Sequence, residues 1–396
     1  MNSNLQLEEA IGLINTLNNW KIVATHVVST KNANKKAIWG SGNIEFLSKK
    51  ISESGANCLF IGIDKLTNLQ KETIKKELGN DYMDIYDRYT IVLKIFKANA
   101  RTSLAKLQIA LADLYYKRFK YNDKEMFQEM EKKVKNELEK QSKKRVMLNE
   151  NRRKQNIPIV SVIGYTNNGK TSLIKRITND SSLKPKDSLF ATLDVTYHGT
   201  KLLNNSLTVI FIDTIGFISD IPLTLVDAFK VTLADALETD LFIHVVDATH
   251  PEFETQEKVV LDILRELEID ESKISNMITV YNKYDKLDEK SHIDKICSEN
   301  QSNRIPISCL NGFGIEKLLY TVEKKLLDIR NYLELSLKIQ QGSDEMRYLY
   351  KHCTIKSIEL FEGEDNSQFV IMNILFDKVS AIKFIKKFPN IEVLKK

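Results

Sequence analysis

Between Gly164 and Thr171 the chain reads Gly-Tyr-Thr-Asn-Asn-Gly-Lys-Thr, the spacing G-x-x-x-x-G-K-[ST] of a loop that wraps a phosphate chain. An apolar run, Ile157 to Ile163, precedes it and reads as a buried parallel strand. A helical pattern opens just after it, at Ser172. This order commits the region to an α/β fold in which main-chain N–H groups and a helix N-terminus converge on an anion. Lys170 then reaches the β- and γ-phosphates of a nucleotide, and the Thr171 hydroxyl sits on Mg²⁺. A tight strand-to-helix turn with no ligand is the plainer alternative, and the motifs further along the chain weigh against it.

A second apolar strand, Val209 to Ile212, ends in Asp213-Thr214-Ile215-Gly216. An Asp at a strand end can hold a metal through water, and the Gly216 N–H can touch a γ-phosphate. A third strand, Leu241 to Val246, ends at Asp247, and a fourth, Met277 to Tyr281, runs into Asn282-Lys283-Tyr284-Asp285. The Asp285 carboxylate can accept from the N1–H and 2-amino group of guanine, a donor pair that adenine lacks. Ile305 to Ile307 leads into Ser308-Cys309-Leu310, where a loop can close over the base. Each tetrapeptide alone is weak. In this order, each at a strand end, they imply a GTP site.

The 396 residues, 42% of them apolar, leave room for two or three domains with cores of their own. A net charge of +5 is a mild basic excess, compatible with RNA without demanding it. Cys58, Cys297, Cys309 and Cys353 show neither metal-like nor disulfide-like spacing, which suits a reducing compartment. No apolar run reaches the length of a membrane span, so no membrane partner is expected, and the chain is expected to be a monomer. Met1 to Glu9 carries no basic residue and no apolar signal core. The expected location is therefore the cytoplasm, or the mitochondrion if an import signal is missing from this sequence.

Four units are expected: residues 1–97, 98–154, 155–333 and 334–396. The first alternates helix and strand: helix over Leu5 to Leu17, strand over Lys21 to Ser29, helix over Ile44 to Ile51, strand over Cys58 to Ile63, helix over Lys71 to Leu78. In the second, Leu104, Leu107, Leu111 and Leu114 recur at helical spacing, as do Phe127, Met130, Val134 and Leu138. These predict two long antiparallel helices joined near Tyr121-Asn122-Asp123. Basic residues outnumber acidic ones there about two to one, ending in Lys143-Lys144-Arg145 and Arg152-Arg153-Lys154. Those six residues are candidates for RNA contact, with an ordinary solvated face as the equal alternative. The third unit is the nucleotide domain. In the fourth, strands over Cys353 to Glu359 and Phe369 to Leu375 and a helix over Ala381 to Lys387 predict a small α+β domain.

The run Gly164 to Thr171, then Phe190-Ala191-Thr192-Leu193-Asp194-Val195-Thr196, then Asp213-Thr214-Ile215-Gly216-Phe217 resembles HflX-type GTPases. So do Ala100-Arg101-Thr102 with Lys106-Leu107-Gln108, and the turn Trp39-Gly40-Ser41-Gly42-Asn43. The form of the switch is most similar to the animal branch of that family, and the resemblance spans about Leu7 to Leu333. It implies a GTPase that binds the large ribosomal subunit and its RNA, and that splits or recycles ribosomes or assists large-subunit assembly. By matching motif it implies GTP or GDP contacts from Gly164, Tyr165, Thr166, Asn167, Asn168, Gly169, Lys170 and Thr171. It implies the same of Phe190, Ala191, Thr192, Leu193 and Asp194, of Asp213, Thr214, Ile215 and Gly216, of Asn282, Lys283, Tyr284 and Asp285, and of Ser308, Cys309 and Leu310. Thr171 and Thr192 would ligate Mg²⁺, a hard ion that takes oxygen ligands. The chain departs from the family between the two long helices, where Tyr116 to Met130 is short and lacks the usual glycine-rich segment.

Ras-like enzymes orient the attacking water with a glutamine just after the Asp-x-x-Gly turn, and Phe217 stands there instead. Slow intrinsic hydrolysis, stimulated by a partner, is the expectation. Asn167 either binds its own backbone or holds a monovalent cation such as K⁺ beside the phosphates. A signalling switch that recruits an effector protein, and an ATP-driven RNA-remodelling enzyme, are the competing classes. Asp285 weakens the second, and the basic hairpin favours an RNA machine over the first.

Overall fold

The structure, a computed structural model, describes residues 3–30, 37–79, 83–120, 124–154, 157–183, 185, 189–190, 195–202, 207–217, 238–289, 291–299, 303–361 and 369–395. The side chains of residues 119–120, 124–125, 142–154, 291, 299, 361 and 395 lie outside that description. The N-terminal unit runs α1 (Ser3–Asn15), α2 (Ser41–Ser54), β1 (Cys58–Ile61), α3 (Asn68–Leu78), β2 (Asp84–Asp87) and α4 (Arg88–Asn99). Strands β1 and β2 pair in parallel. Asp87 closes β2 and caps α4 by accepting from the Thr90 N–H at 2.8 Å. Its buried carboxylate also accepts from the Leu66 N–H and the Tyr116 hydroxyl and pairs with Lys71 at 3.1 Å. A buried carboxylate is tolerable only with such a set of partners.

The stretch expected as a strand over Lys21 to Ser29 takes no regular secondary structure and joins no ladder among the described residues. Val23 and Val27 would share one face of a strand, yet both stay more than half exposed, and among the described residues no neighbouring strand takes up the main-chain groups. The two long helices are α5 (Ser103–Lys120) and α6 (Lys124–Lys154). Leu104, Leu111 and Leu138 form their shared core, and Arg118 pairs with Glu131 across the hairpin, so the helices run antiparallel.

The nucleotide domain contains β3 (Ile159–Gly164), α7 (Lys170–Thr178), β4 (Thr196–Lys201), β5 (Thr208–Asp213), β6 (Leu241–Asp247), α8 (Phe253–Glu266), α9 (Glu271–Asn276), β7 (Ile278–Asn282), α10 (Ser291–Glu299), β8 (Arg304–Pro306) and α11 (Ile315–Ile329). Its six-stranded sheet has the order β4-β5-β3-β6-β7-β8, antiparallel only between β4 and β5. The parallel strands are covered by helices on both faces, which is why they read as largely apolar runs. One face packs Val160, Val162, Leu173, Ile174, Val245, Leu318 and Val322. The other shares a single core with the N-terminal unit, where Leu13, Ile95 and Phe96 join Ile163, Tyr165, Phe190, Phe217, Phe242 and Leu264. The Phe96 and Phe190 rings meet edge to face at 4.8 Å, and Asn99 Nδ2 donates to the Phe190 carbonyl at 3.2 Å.

Arg330, just after α11, forks onto Asp240 at 2.8 and 2.9 Å and donates to the Ile157 carbonyl. It thereby ties the last helix of the domain to the entry of its first strand. The C-terminal unit is richer than the sequence reading: β9 (Tyr332–Gln340), α12 (Asp344–His352), β10 (Thr354–Phe361), β11 (Phe369–Asp377), α13 (Lys378–Lys387) and β12 (Glu392–Lys395). Its antiparallel sheet has the order β10-β11-β9-β12, with Leu335, Leu337, Ile339, Met372 and Phe376 facing Leu349 and Phe384 of the helices. No helix among the described residues is long and apolar enough to cross a membrane.

Candidate nucleotide site

Strand β3 is central in the sheet, and the glycine loop leaves its C-terminal end, where ligands of open α/β sheets bind. Asn167 (φ 63°) and Gly169 (φ 94°) bend the loop through left-handed backbone, and a Cβ on Gly169 would collide with Asn282 Nδ2. The chain then enters α7 with Lys170 at its first position. Lys170 is buried, and its ammonium donates to the carbonyls of Tyr165 at 2.8 Å and Gly164 at 3.2 Å. Burial lowers its pKa to about 8, against the pull of Asp213 in the other direction. The Thr171 hydroxyl donates to Asp213 Oδ2 at 2.7 Å. A hydroxyl beside a buried carboxylate at the mouth of a phosphate loop is a donor set that suits hard Mg²⁺.

The guanine motif forms the opposite wall. Asn282 Nδ2 donates to the Asn168 carbonyl at 2.9 Å, and Asn282 Oδ1 accepts from the Cys309 N–H at 3.1 Å. Asn168 in turn donates to the Val245 carbonyl. These two asparagines, expected as ligand contacts, are cross-ties that hold the phosphate loop, β6 and the 308–310 loop together. Lys283 takes left-handed backbone (φ 64°), and its ammonium pairs with Asp247 at 2.5 Å. Asp285 follows in a single helical turn, Tyr284–Lys286. The Tyr284 ring stacks on Phe313 and its hydroxyl donates to Asp294, so this side chain braces the turn.

Asn167, Gly169, Asn282, Lys283, Asp285, Cys309 and Leu310 line one cavity of about 760 Å³. Ser172, Lys175, Arg176 and Asn179 of α7 and its C-terminal end also line it, and the sequence reading missed them. Their spacing at i, i+3, i+4 and i+7 on the helix that opens with Lys170 was the available signal. The remaining expected residues lie elsewhere. Tyr165, Phe190 and Ile215 are core side chains, the Thr214 hydroxyl donates to the Val162 carbonyl, and Ser308 is fully buried. For these, main-chain atoms are what remains for a ligand. Ala191, Thr192, Leu193 and Asp194 lie outside the described residues. Lys143, Lys144, Arg145, Arg152, Arg153 and Lys154 fall on the α6 backbone, but their side chains lie outside the described ones. Burial pushes the Cys309 thiol up to about 12, so it is a packed wall residue rather than a nucleophile.

The low pKa of Lys170 has a consequence for pH. Between about 8 and 10.5 the folded protein binds fewer protons than the unfolded chain at this group, so the nucleotide-free protein gains stability as pH rises through that window. A phosphate beside the ammonium would restore the charge, so binding takes up a proton once the pH exceeds 8. GDP affinity is therefore expected to fall as pH rises from about 8 toward 9, with up to tenfold loss per pH unit. Fluorescent-GDP titrations across that range check it, and a flat profile would contradict the burial argument.

Two family models match. Residues 159–283 match one described as "50S ribosome-binding GTPase", and residues 4–97 match "GTP-binding GTPase N-terminal". The human protein named Putative GTP-binding protein 6 is 34% identical over 97% of this chain and 77% of its own length. GTPase HflX of Escherichia coli (strain K12) is 29% identical, covering 81% of this chain and 79% of that protein. A solved structure of a GTP-binding protein from Sulfolobus solfataricus in complex with GDP aligns with 81% of this chain and 96% of that one, at 26% identity and a TM-score of 0.45.

Proposed function

This chain belongs to the HflX-type GTPases, and from that membership we propose that it couples GTP hydrolysis to work on the large ribosomal subunit, either splitting and recycling or assembly. The chain is a GTP-binding P-loop enzyme that hydrolyses GTP. The ribosomal reading rests on one observation: the domain that builds the nucleotide cavity matches a model of 50S ribosome-binding GTPases. A basic hairpin precedes that domain in the same chain, and ribosomal RNA is a dense phosphate surface.

In this reading the cavity holds the guanine against Asp285 and the phosphates against the loop and Lys170. Thr171 and Asp213 would hold Mg²⁺, with Thr192 as the expected third partner. The ion would neutralise charge on the phosphates during transfer. Asn167, at a left-handed turn on the cavity wall, is proposed to hold K⁺ there. If so, hydrolysis runs faster in K⁺ than in Na⁺ at equal ionic strength, and Asn167→Ala removes the difference. Equal rates in the two salts would leave Asn167 as a loop residue. The compartment is proposed as the cytoplasm or the mitochondrion, to be decided by imaging the tagged protein.

Sedimentation with ribosomal subunits tests the main proposal. The chain should travel with the large subunit when loaded with a non-hydrolysable GTP analogue and leave it with GDP. Glu replacements at three of Lys143, Lys144, Arg145, Arg152, Arg153 and Lys154 should weaken that binding and flatten its salt dependence, while free GTP affinity holds. No association in either nucleotide state would turn the reading toward a signalling switch.

A further inference from the structure

Hydrolysis needs a polar group to orient the attacking water, and the residue after Gly216 does not provide one. The Phe217 side chain is buried in the core shared with the N-terminal unit. Its main chain is committed as well: its N–H donates to the Gly164 carbonyl at 3.0 Å, and its carbonyl accepts from the Thr166 N–H at 2.6 Å. The phosphate loop and the Asp-x-x-Gly turn are thus stitched together by a short parallel bridge between Tyr165 and Phe217.

Thr166 sits at that seam. It is only 5% exposed, and its hydroxyl oxygen is buried with no hydrogen-bond partner among the described residues. A Cβ on Gly216 would stand 2.8 Å from Thr166 Cα, 2.7 Å from its methyl and 3.0 Å from Lys170 Nζ. Thr166, Lys170 and Gly216 therefore crowd one point, where the loop lysine and the switch glycine of such enzymes meet a γ-phosphate. A buried hydroxyl with no partner costs free energy, and a substrate arriving at that point would supply the partner. One staggered step about χ1 carries the hydroxyl to the place the methyl held while the methyl moves to that of the Cβ hydrogen, so the oxygen can be presented to the Gly216 side of the seam.

We propose that the Thr166 hydroxyl orients the attacking water in GTP hydrolysis, taking the role that position 217 cannot fill. The inference rests on the GTPase reading of this site. The hydroxyl accepts one hydrogen bond from the water and donates its own proton toward a γ-phosphate oxygen. The water oxygen forms the new bond to Pγ, and the bond from Pγ to the bridging oxygen breaks with its electron pair left on GDP. The water proton passes to a phosphate oxygen. Thr166 emerges unchanged.

Thr166→Val keeps the shape and removes the hydroxyl, and Thr166→Ser keeps the hydroxyl. Both are measured in the full chain by single-turnover hydrolysis, alongside Kd for GDP and for a non-hydrolysable GTP analogue. Wild-type hydrolysis and affinity test the GTPase reading, and the ratios between variants test Thr166. The Val variant should lose about tenfold or more in rate, the scale of a lost transition-state hydrogen bond, with GDP affinity within about twofold of wild type and affinity for the analogue falling by less than the rate. The Ser variant should stay within about threefold. A Val variant as fast as wild type overturns the proposal. So does a Ser variant as slow as Val, or a Val variant whose affinity falls as far as its rate.

Discussion

Lys170→Ala should abolish nucleotide binding at micromolar concentrations while leaving the empty protein as stable as before, or more so. The ammonium is buried, and burial already holds its pKa at about 8, so the nucleotide-free fold carries a charge it does not favour. Removing it relieves that cost and gives up two contacts, to the carbonyls of Tyr165 and Gly164, together with an attraction to Asp213 that is smaller than the cost of burial. With nucleotide bound, the same ammonium would make charge-assisted hydrogen bonds to phosphate, each worth roughly 1.5–3 kcal/mol. Losing two of them predicts a decrease in affinity of at least a hundredfold. Calorimetric titration with GDP and thermal melts with and without nucleotide measure both halves. A variant that melts well below wild type in the absence of nucleotide would show that Lys170 is mainly a structural strut.

Asp285→Asn should convert guanine selectivity into xanthine selectivity. Asp285 lines the cavity beside the Lys283 stem and Leu310, while Asn282 and Tyr284 are occupied in bracing the wall. Its carboxylate is thus the group placed to read the base edge. Replacing one acceptor oxygen with an amide donor sets two donors against each other at guanine, and matches the 2-oxo group of xanthine. Sites that hydrogen-bond a ligand group reject the analogue lacking it by roughly 10⁴-fold or more, and a loss of about a thousandfold for GTP is a conservative expectation. Competition among GTP, XTP and ATP for a fluorescent nucleotide reads it out. Equal GTP and ATP affinities in the wild type would remove the guanine reading itself. The Lys283–Asp247 pair is separate from this edge and should be unaffected.

The strands that carry the site were legible because a parallel strand buried on both faces is mostly apolar, as β3 and β6 are apart from Ser161, His244 and the terminal Asp247. Strand β4, Thr196–Lys201, was not: it is an edge strand half open to water, and its polar run resembles a loop. Strand β9 could have been found, since Leu333, Leu335, Leu337 and Ile339 alternate through it, but the expected boundary between residues 333 and 334 cuts across it and no strand was assigned there. Motifs located the cavity wall without dividing labour within it. Asn168 and Asn282 have the polarity of ligand contacts, and only three-dimensional placement reveals them as ties between loops. Phe217 is the reverse case. Its sequence position implied a missing catalytic group, while its burial shows an anchoring role, so Phe217→Ala is expected to cost stability, about 3–5 kcal/mol for such a core ring.

The core shared by Phe96, Phe190, Phe217 and Leu264 bears on how the chain can be cut. By sequence the nucleotide domain begins near residue 155, which invites its expression alone. Doing so would leave a bare wall of aromatic and aliphatic side chains beneath the switch, a surface prone to self-association. It would also remove the Asn99 amide from the Phe190 carbonyl, at a backbone conformation (φ 53°) that a phenylalanine adopts only when its surroundings compel it. The two units should therefore melt as one, and rates obtained from the excised domain would describe a switch without its seat. The module boundary lies between residues 97 and 159, but the cooperative unit runs straight through it.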